Sequence, residues 1–305
     1  MTDTICVIAT VRSPVNELME FVRYHLAAGV GGIVLFFDDP DDTAADAVAG
    51  HPAVVPIRCN AAYWHTRRVD RPTAIEERQT VNVNFGMTVA RSHGFDWIAH
   101  IDSDELLFAH NGIGTVLTGC SANVVRFAMK EAVAEQDYYA SRFAATLFRE
   151  QLTAAGRKQL AALPAPALEE ILFEGEYFRG HSASKVAVRL DSNIQLMGIH
   201  GPQRPKRMPE LRTEQIALLH YDCIGIDDWK RKWSRRLDAS GTATEMRAAR
   251  SKQLELFKQA YGNEASERAL YARLHKVSEQ QKHLLVSLGL LTVVSLDLAM
   301  RQPAE

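Results

Sequence analysis

Residues 4–11, Thr-Ile-Cys-Val-Ile-Ala-Thr-Val, form an unbroken apolar run rich in β-branched side chains. A run with no in–out alternation predicts a central parallel strand buried on both faces. Arg12-Ser13-Pro14 interrupt it. Residues 16–28 then carry helical spacing, with Leu18, Phe21, Val22 and His25 on related faces, and Gly29, Gly31 and Gly32 stop the helix. Residues 33–37 read as a second buried strand that ends in Asp38-Asp39-Pro40-Asp41-Asp42. Residues 43–49 read as a short helix and 54–57 as a third strand. This alternation predicts a right-handed, mostly parallel α/β sheet flanked by helices.

Residues 76–93 read as one helix, with Val81, Phe85 and Val89 recurring every four residues and Gly94 ending it. The chain then enters Trp97-Ile98-Ala99-His100-Ile101, a short apolar run that favours a buried strand. It stops at the acids Asp102, Asp104 and Glu105. Carboxylates at the end of a buried strand are costly to desolvate unless a positive group meets them. Asp102 and Asp104 lie two apart, so in extended backbone they point the same way and could share one hard cation. Open α/β sheets bind ligands beyond the carboxyl ends of their strands. Asp-Ser-Asp-Glu also suits a turn or a helix N-terminus with Asp102 as cap, and the spacing alone leaves both readings open.

Composition narrows the classes. At 305 residues the chain can bury a large core, and 47% hydrophobic with 24% charged residues is ordinary for a soluble globular protein. A formal net charge of -2 gives no drive toward nucleic acid. Cys6, Cys59, Cys120 and Cys223 form no C-x-x-C pair, so neither a zinc knuckle nor a disulfide framework is indicated. No basic segment followed by an apolar signal stretch opens the chain, and no apolar run reaches the roughly 18–20 residues that span a bilayer. A cytoplasmic protein is expected.

In the later half, residues 123–129 read as a strand. Residues 130–170 are Ala-rich with a helical pattern, broken at Leu163-Pro164-Ala165-Pro166. Residues 185–190 alternate as a strand, with 194–200 as a hairpin partner. Residues 216–220 form an apolar run closed by His220, and 227–236 an acid-capped helix with a basic body. From about 243 the pattern is helical. Residues 284–296 suggest a docked C-terminal helix, an oligomer contact or a peripheral membrane helix. Residues 238–242 are the one plausible hinge. The expected division is a sheet domain over 1–238, with a helical insertion at about 130–172, and a helical C-terminal extension over 239–305.

Several of these elements together resemble the family-2-like glycosyltransferases of GT-A fold, in the bacterial branch with an Asp-Ser-Asp-Glu-Phe type of metal motif. The matching features are Thr10-Val11-Arg12, Asn16-Glu17, Tyr24-His25 before Gly29, the strand closing on Asp38, Gln79, and Trp97-Ile98 through Asp102-Ser103-Asp104-Glu105-Leu106-Leu107. Residues 185–200 and Leu219-His220-Tyr221 match as well. One departure is Asp38-Asp39-Pro40-Asp41-Asp42, where relatives show Asp-Asn-x-Ser-x-Asp. Which acid touches the nucleotide is therefore open.

The resemblance implies a GT-A-type, Rossmann-like sheet and a metal-dependent, inverting transfer of a sugar from a UDP- or GDP-linked donor to a glycan, lipid-linked or other hydroxyl acceptor. It implies Mn²⁺ or Mg²⁺ on Asp104, with Asp102 sharing the metal or holding the donor ribose, and His220 or His200 as a further ligand. Thr10, Arg12, Asp38 or Asp39, and Gln79 would cradle the donor. Lys185, Arg204, Lys206 and Arg207 could hold phosphate or an anionic acceptor. Each has a plainer reading: a satisfied core or loop histidine, an Arg12–Asp38 salt bridge, a solvated polar face. A general base is needed near the acceptor hydroxyl, and Glu176, Glu174 and Asp137 are available, with Glu176 chosen. A nucleotidyltransferase also uses a parallel sheet and metal-bound acids, but the stretch after the first strand lacks the glycine richness of its phosphate loop. A catalytically silent GT-A-fold binding protein is the non-enzymatic alternative.

Overall fold

The computed structural model describes residues 2–205, 208–238 and 246–296. In chain order the elements are β1 (Ile5–Val11), α1 (Val15–Ala27), β2 (Gly32–Phe37), α2 (Ala44–Val48), β3 (Val54–Arg58), α3 (Ala61–Arg67), α4 (Ile75–Ser92), β4 (Trp97–His100), β5 (Glu105–Phe108), α5 (Ile113–Thr118) and β6 (Val124–Val133). Then come β7 (Leu147–Glu150), α6 (Ala154–Ala161), α7 (Ala165–Ile171), β8 (Val186–Arg189), β9 (Leu196–Gly198), β10 (Gly201–Arg204) and β11 (Glu210–His220). The chain closes with α8 (Ile226–Asp238), α9 (Ala248–Ala260), α10 (Glu264–His275), α11 (Glu279–Ser287) and β12 (Leu291–Val293). Residues 2–128 with 183–218 form one compact unit, and 129–182 with 219–296 another.

The first unit is a Rossmann-like, mostly parallel α/β sheet of the GT-A type. β1 lies between β2 and β4, parallel to both, and β3 extends the parallel group beyond β2. β8 joins β4 antiparallel and the start of β6 joins β8. All seven residues of β1 are buried, as its unbroken apolar run requires. Parallel pairing puts the carboxyl ends of β1, β2 and β4 on one edge, where Arg12, Asp38 and Asp102 follow.

α4 packs on β1 through residues other than the apolar row at Val81, Phe85 and Val89. Its buried face is Asn82, Val83, Gly86, Met87 and Ala90, with that row only partly buried beside it. Gly86 makes this approach possible, because a Cβ there would stand 2.8 Å from Ile8 Cγ2. α1 is fixed through His25: its Nδ1 bonds Phe21 O at 2.8 Å, and Leu107 N donates to its Nε2 at 3.2 Å.

Several expectations are corrected. Residues 194–200 do not pair with β8: β9 pairs with β10, while β8 is taken by β4 and β6. The stretch 130–172 is not mainly helical. It opens with the rest of β6, which pairs with β7, and its α-helices are confined to α6 and α7. Alanine content favours helix only weakly, and sheet pairing overrides it. Residues 284–296 are not one helix: α11 ends at Ser287, Gly289 turns at φ +66, and Leu291-Thr292-Val293 pairs with β7. Of the hinge expected at 238–242, Asp238 ends α8 and 239–242 lie outside the described residues. α3 was unforeseen, although Asn60 is a proper cap whose side chain accepts from Tyr63 N at 2.9 Å.

Gly86→Val should therefore cost about 1–3 kcal/mol in chemical denaturation, through overpacking against Ile8. Gly50→Ala, at a site with no atom near a new Cβ, should stay within about 0.5 kcal/mol of the parent.

Candidate functional site

Two acidic strand ends are gripped by neighbouring residues of one helix. Asp38, 5% exposed after β2, receives Arg78 Nε on Oδ1 at 2.7 Å and Arg78 Nη2 on Oδ2 at 3.1 Å. Arg71, half-exposed, adds Nη2 contacts of 3.2 Å to Oδ1 and to the main-chain oxygen. Gln79, the next residue of α4, donates from Nε2 to Asp102 Oδ1 at 2.6 Å. Asp38 is thus held by Arg78 and Arg71, and Arg12 lines the same cleft. The loops after β1 and β4 are also joined directly, with 2.8 Å between Ser13 Oγ and Ser103 Oγ.

The end of β4 is a compact charge cluster. Lys185 Nζ lies 2.9 Å from Asp102 Oδ2 and donates to Ile199 O at 3.2 Å. Asp102 N donates to Glu105 Oε2 at 2.7 Å, folding 102–105 into a turn before β5. Burial opposes a charge on Lys185, but Asp102, Glu105 and Asp104 outweigh it and raise its pKa, so the lysine is an ammonium. His100, the last residue of β4, is pushed down to about 4, by burial first and by Lys185 second. It is a neutral imidazole, with Nδ1 3.3 Å from Ile199 O.

At the ends of β1 and β2 lies a cleft of about 800 Å³ lined by Arg12, Asp38, Asp39, Asn60, Trp64 and Arg71 among others. Arg68 also lines it, from the left-handed position (φ 57) that ends α3. Thr10 is buried, where Asn82 Nδ2 donates to its Oγ1 at 3.0 Å and Tyr63 OH donates to Asn82 Oδ1 at 2.7 Å. His200 lines a second cavity of about 400 Å³ with Arg126 and Glu210. Arg204 is exposed and does not line that cavity, and Lys206 and Arg207 lie outside the described residues.

Glu176 and His220 belong to the other unit. Glu176 is ion-paired with Arg247, and Arg157, Tyr177, Phe178 and Ser182 share its cavity of about 390 Å³. A base at Glu176 would have to leave Arg247 before it could reach an acceptor hydroxyl. Asp137 is bonded by Lys276 at 2.8 Å and Arg268 at 3.2 Å, and the Lys276 hydrogen bond pulls its pKa down. Glu174 stands in a turn at φ 50.

His220 is 3% exposed, with its ring 4.5 Å from that of His181. Gly180 closes over it, since a Cβ there would be 2.6 Å from His220 Cε1. Nearby in the same unit, Glu131 accepts the main-chain N–H groups of Arg179 at 2.8 Å and Gly180 at 2.5 Å. Asp222 is held by Arg250 at 2.9 Å and Lys232 at 2.5 Å. The sequence reading missed this buried network, whose members are scattered from 131 to 250 with no local pattern to betray them.

Among curated proteins, a glycosyltransferase-like protein of Arabidopsis thaliana is 22% identical over 252 residues, covering 73% of this chain and 54% of that protein. A second Arabidopsis glycosyltransferase-like protein is 23% identical over 319 residues, covering 94% and 61%. The chain thus spans little more than half the length of the curated relatives it matches. No family model matches. Among solved structures, HddC from Yersinia pseudotuberculosis aligns with 76% of this chain and 97% of its own, at TM-score 0.38 and 11% identity. A mycobacterial protein aligns with 91% and 76%, at TM-score 0.39 and 12% identity. The sequence relationship is to glycosyltransferase-like proteins, at a coarse level.

Arg78→Ala should cost about 3 kcal/mol, because it strips the closer partner from a buried carboxylate. Arg71→Ala should cost less than about 1 kcal/mol, since its partner role is half-exposed and secondary; urea denaturation of both variants checks the contrast. A second expectation concerns pH. Burial pushes His25 and His100 down from 6.5 to about 4 and His275 to about 3. Between those values and 6.5 the unfolded chain binds protons that the folded chain refuses, so stability falls as pH drops from about 6.5 toward 4. Denaturant midpoints across that range should decline steadily.

Proposed function

We propose that this chain is a metal-dependent glycosyltransferase that moves a sugar from a nucleotide-diphosphate donor to a hydroxyl acceptor. One observation carries the reading: Arg78 and Gln79 of α4 grip the acids that end β2 and β4, and a cleft of about 800 Å³ opens at the ends of β1 and β2. Ligands of open α/β sheets bind beyond strand carboxyl ends. The two Arabidopsis relatives, named glycosyltransferase-like, support the same class.

Asp102, Asp104 and Glu105 offer only carboxylate oxygen, a donor set suited to a hard divalent cation such as Mg²⁺ or Mn²⁺. Two unit charges 4 Å apart interact by about 4 kcal/mol at an effective dielectric near 20, so a diphosphate facing bare carboxylates would be repelled. Asp102, Asp104 and Glu105 would hold such a cation, which when bound would supply the positive charge that offsets this repulsion and the charge of a departing diphosphate. In this reading Asp104 is the direct ligand and His200 or His220 a further one. Arg12, Asp39 and Arg71 line the nucleoside side, with Thr10 and Asp38 bracing the wall behind them. Glu176 is the proposed general base. The transfer is proposed to be inverting, with a UDP- or GDP-linked donor and a glycan or lipid-linked acceptor. Residues 1–238 are proposed to carry the transferase, with 239–305 as an extension of it. No described helix is long and apolar enough to cross a membrane.

Asp104→Ala should abolish Mn²⁺-dependent binding of UDP and GDP in calorimetry while leaving the thermal melt unchanged, because a strand-end acid contributes little packing. Unchanged nucleotide binding would refute the site. A panel of sugar nucleotides incubated with the wild-type chain and Mn²⁺ should show slow hydrolysis of at least one donor. Binding with no turnover of any donor or acceptor would favour a silent binding protein.

A further inference from the structure

Both oxygens of Asp102 are already engaged within its own unit, Oδ1 by Gln79 at 2.6 Å and Oδ2 by Lys185 at 2.9 Å. The two members of the ion pair are unequal. The Lys185 side chain is 1% exposed, whereas the Asp102 side chain is 26% exposed. The lysine is also anchored through its main chain and its ammonium, and its neighbour Ser184 is tied to the same strand. Ser184 Oγ donates to Phe127 O at 2.7 Å, Phe127 N donates to Lys185 O at 3.1 Å, and Lys185 Nζ donates to Ile199 O at 3.2 Å. It immediately precedes β8, which pairs with β4 itself. The cation is therefore built into the sheet, and the carboxylate is the group that meets solvent. A surface lysine would form the same pair without the cost of burying an ammonium, so the buried placement calls for a role that a mobile charge could not fill.

We propose that Lys185 is a resident counter-ion of the β4 end: with Gln79 it fixes Asp102 as a positioning group and lowers the affinity of the bare acids for a divalent cation. The cation is then held firmly only when the donor's diphosphate supplies further oxygen ligands and negative charge. This rests on the metal-dependent reading above, and assigns Lys185 to the carboxylate rather than to a phosphate.

Mn²⁺ binding to the full chain, followed by loss of the free-ion electron paramagnetic resonance signal, tests it without reference to turnover. In the absence of nucleotide, Lys185→Met should bind Mn²⁺ about tenfold more tightly than wild type, because a fixed positive charge close to the site is gone. Lys185→Arg should stay near wild type, and the double variant Lys185→Met with Asp102→Asn should return toward it, since charge and counter-charge leave together. A packing role would give the opposite sign: weaker or unchanged Mn²⁺ binding in Lys185→Met overturns the proposal. If that variant melts early, Lys185→Gln is measured under the same criterion. Wild-type protein that takes up no Mn²⁺ even with UDP or GDP present overturns the metal-dependent reading itself, and the counter-ion with it.

Discussion

The fold's chemistry depends on how a sheet tolerates acids at the ends of buried strands. β4 is buried throughout and delivers Asp102 to the sheet edge, where water reaches only part of the side chain. A carboxylate in that position needs donors on both oxygens or a cation nearby. Gln79 and Lys185 provide this, one from a helix and one from the strand next door. Asp38 solves the same problem after β2 with a bidentate arginine from the same helix.

α4 is therefore more than a cover for the sheet. Its buried face, opened by Gly86, sets its distance from β1, and its first turns carry the two side chains that meet the acids. Asn82 extends the polar bracing inward to Thr10 and Tyr63. Displacement of α4 would loosen both strand ends at once, which ties packing in the core to the geometry of the cleft. The second unit has its own polar core, built from Glu131, Asp222 and the arginines that satisfy them. There Arg179 spends its guanidinium on main-chain oxygens of 171, 176, 177 and 274, a stapling role rather than a ligand-binding one.

Much of the sheet was legible because parallel strands advertise themselves. Runs such as residues 5–11 and 33–37 cannot be half-solvated, and acids at their ends mark the sheet edge. The same logic failed where local preference and tertiary pairing disagree. Alanines near β6 suggested helix, yet the strand continues to Val133 because β7 offers it partners. At the candidate site, Asp102, Gln79 and Lys185 were each singled out from sequence, but not their joint bonding. Contacts between residues 23 and 83 positions apart leave no periodic trace. Arg71 and Arg78 were overlooked as partners of Asp38 for the same reason, since nothing local distinguishes them from solvated charges. The buried glutamate at 131 could not have been found by pattern, because its satisfaction comes from main-chain donors near residue 180.

The central claim is that the acids closing β4 hold a divalent ion that bridges to a sugar nucleotide's diphosphate. Anomalous scattering from manganese, in crystals of the chain grown with Mn²⁺ and a nucleoside diphosphate, locates that ion directly. The account expects a peak within bonding distance of an Asp104 carboxylate oxygen, with the nucleotide's diphosphate next to it and Lys185 still bonded to Asp102. A bound nucleotide with manganese elsewhere, or with Asp104 turned away from it, would contradict the account.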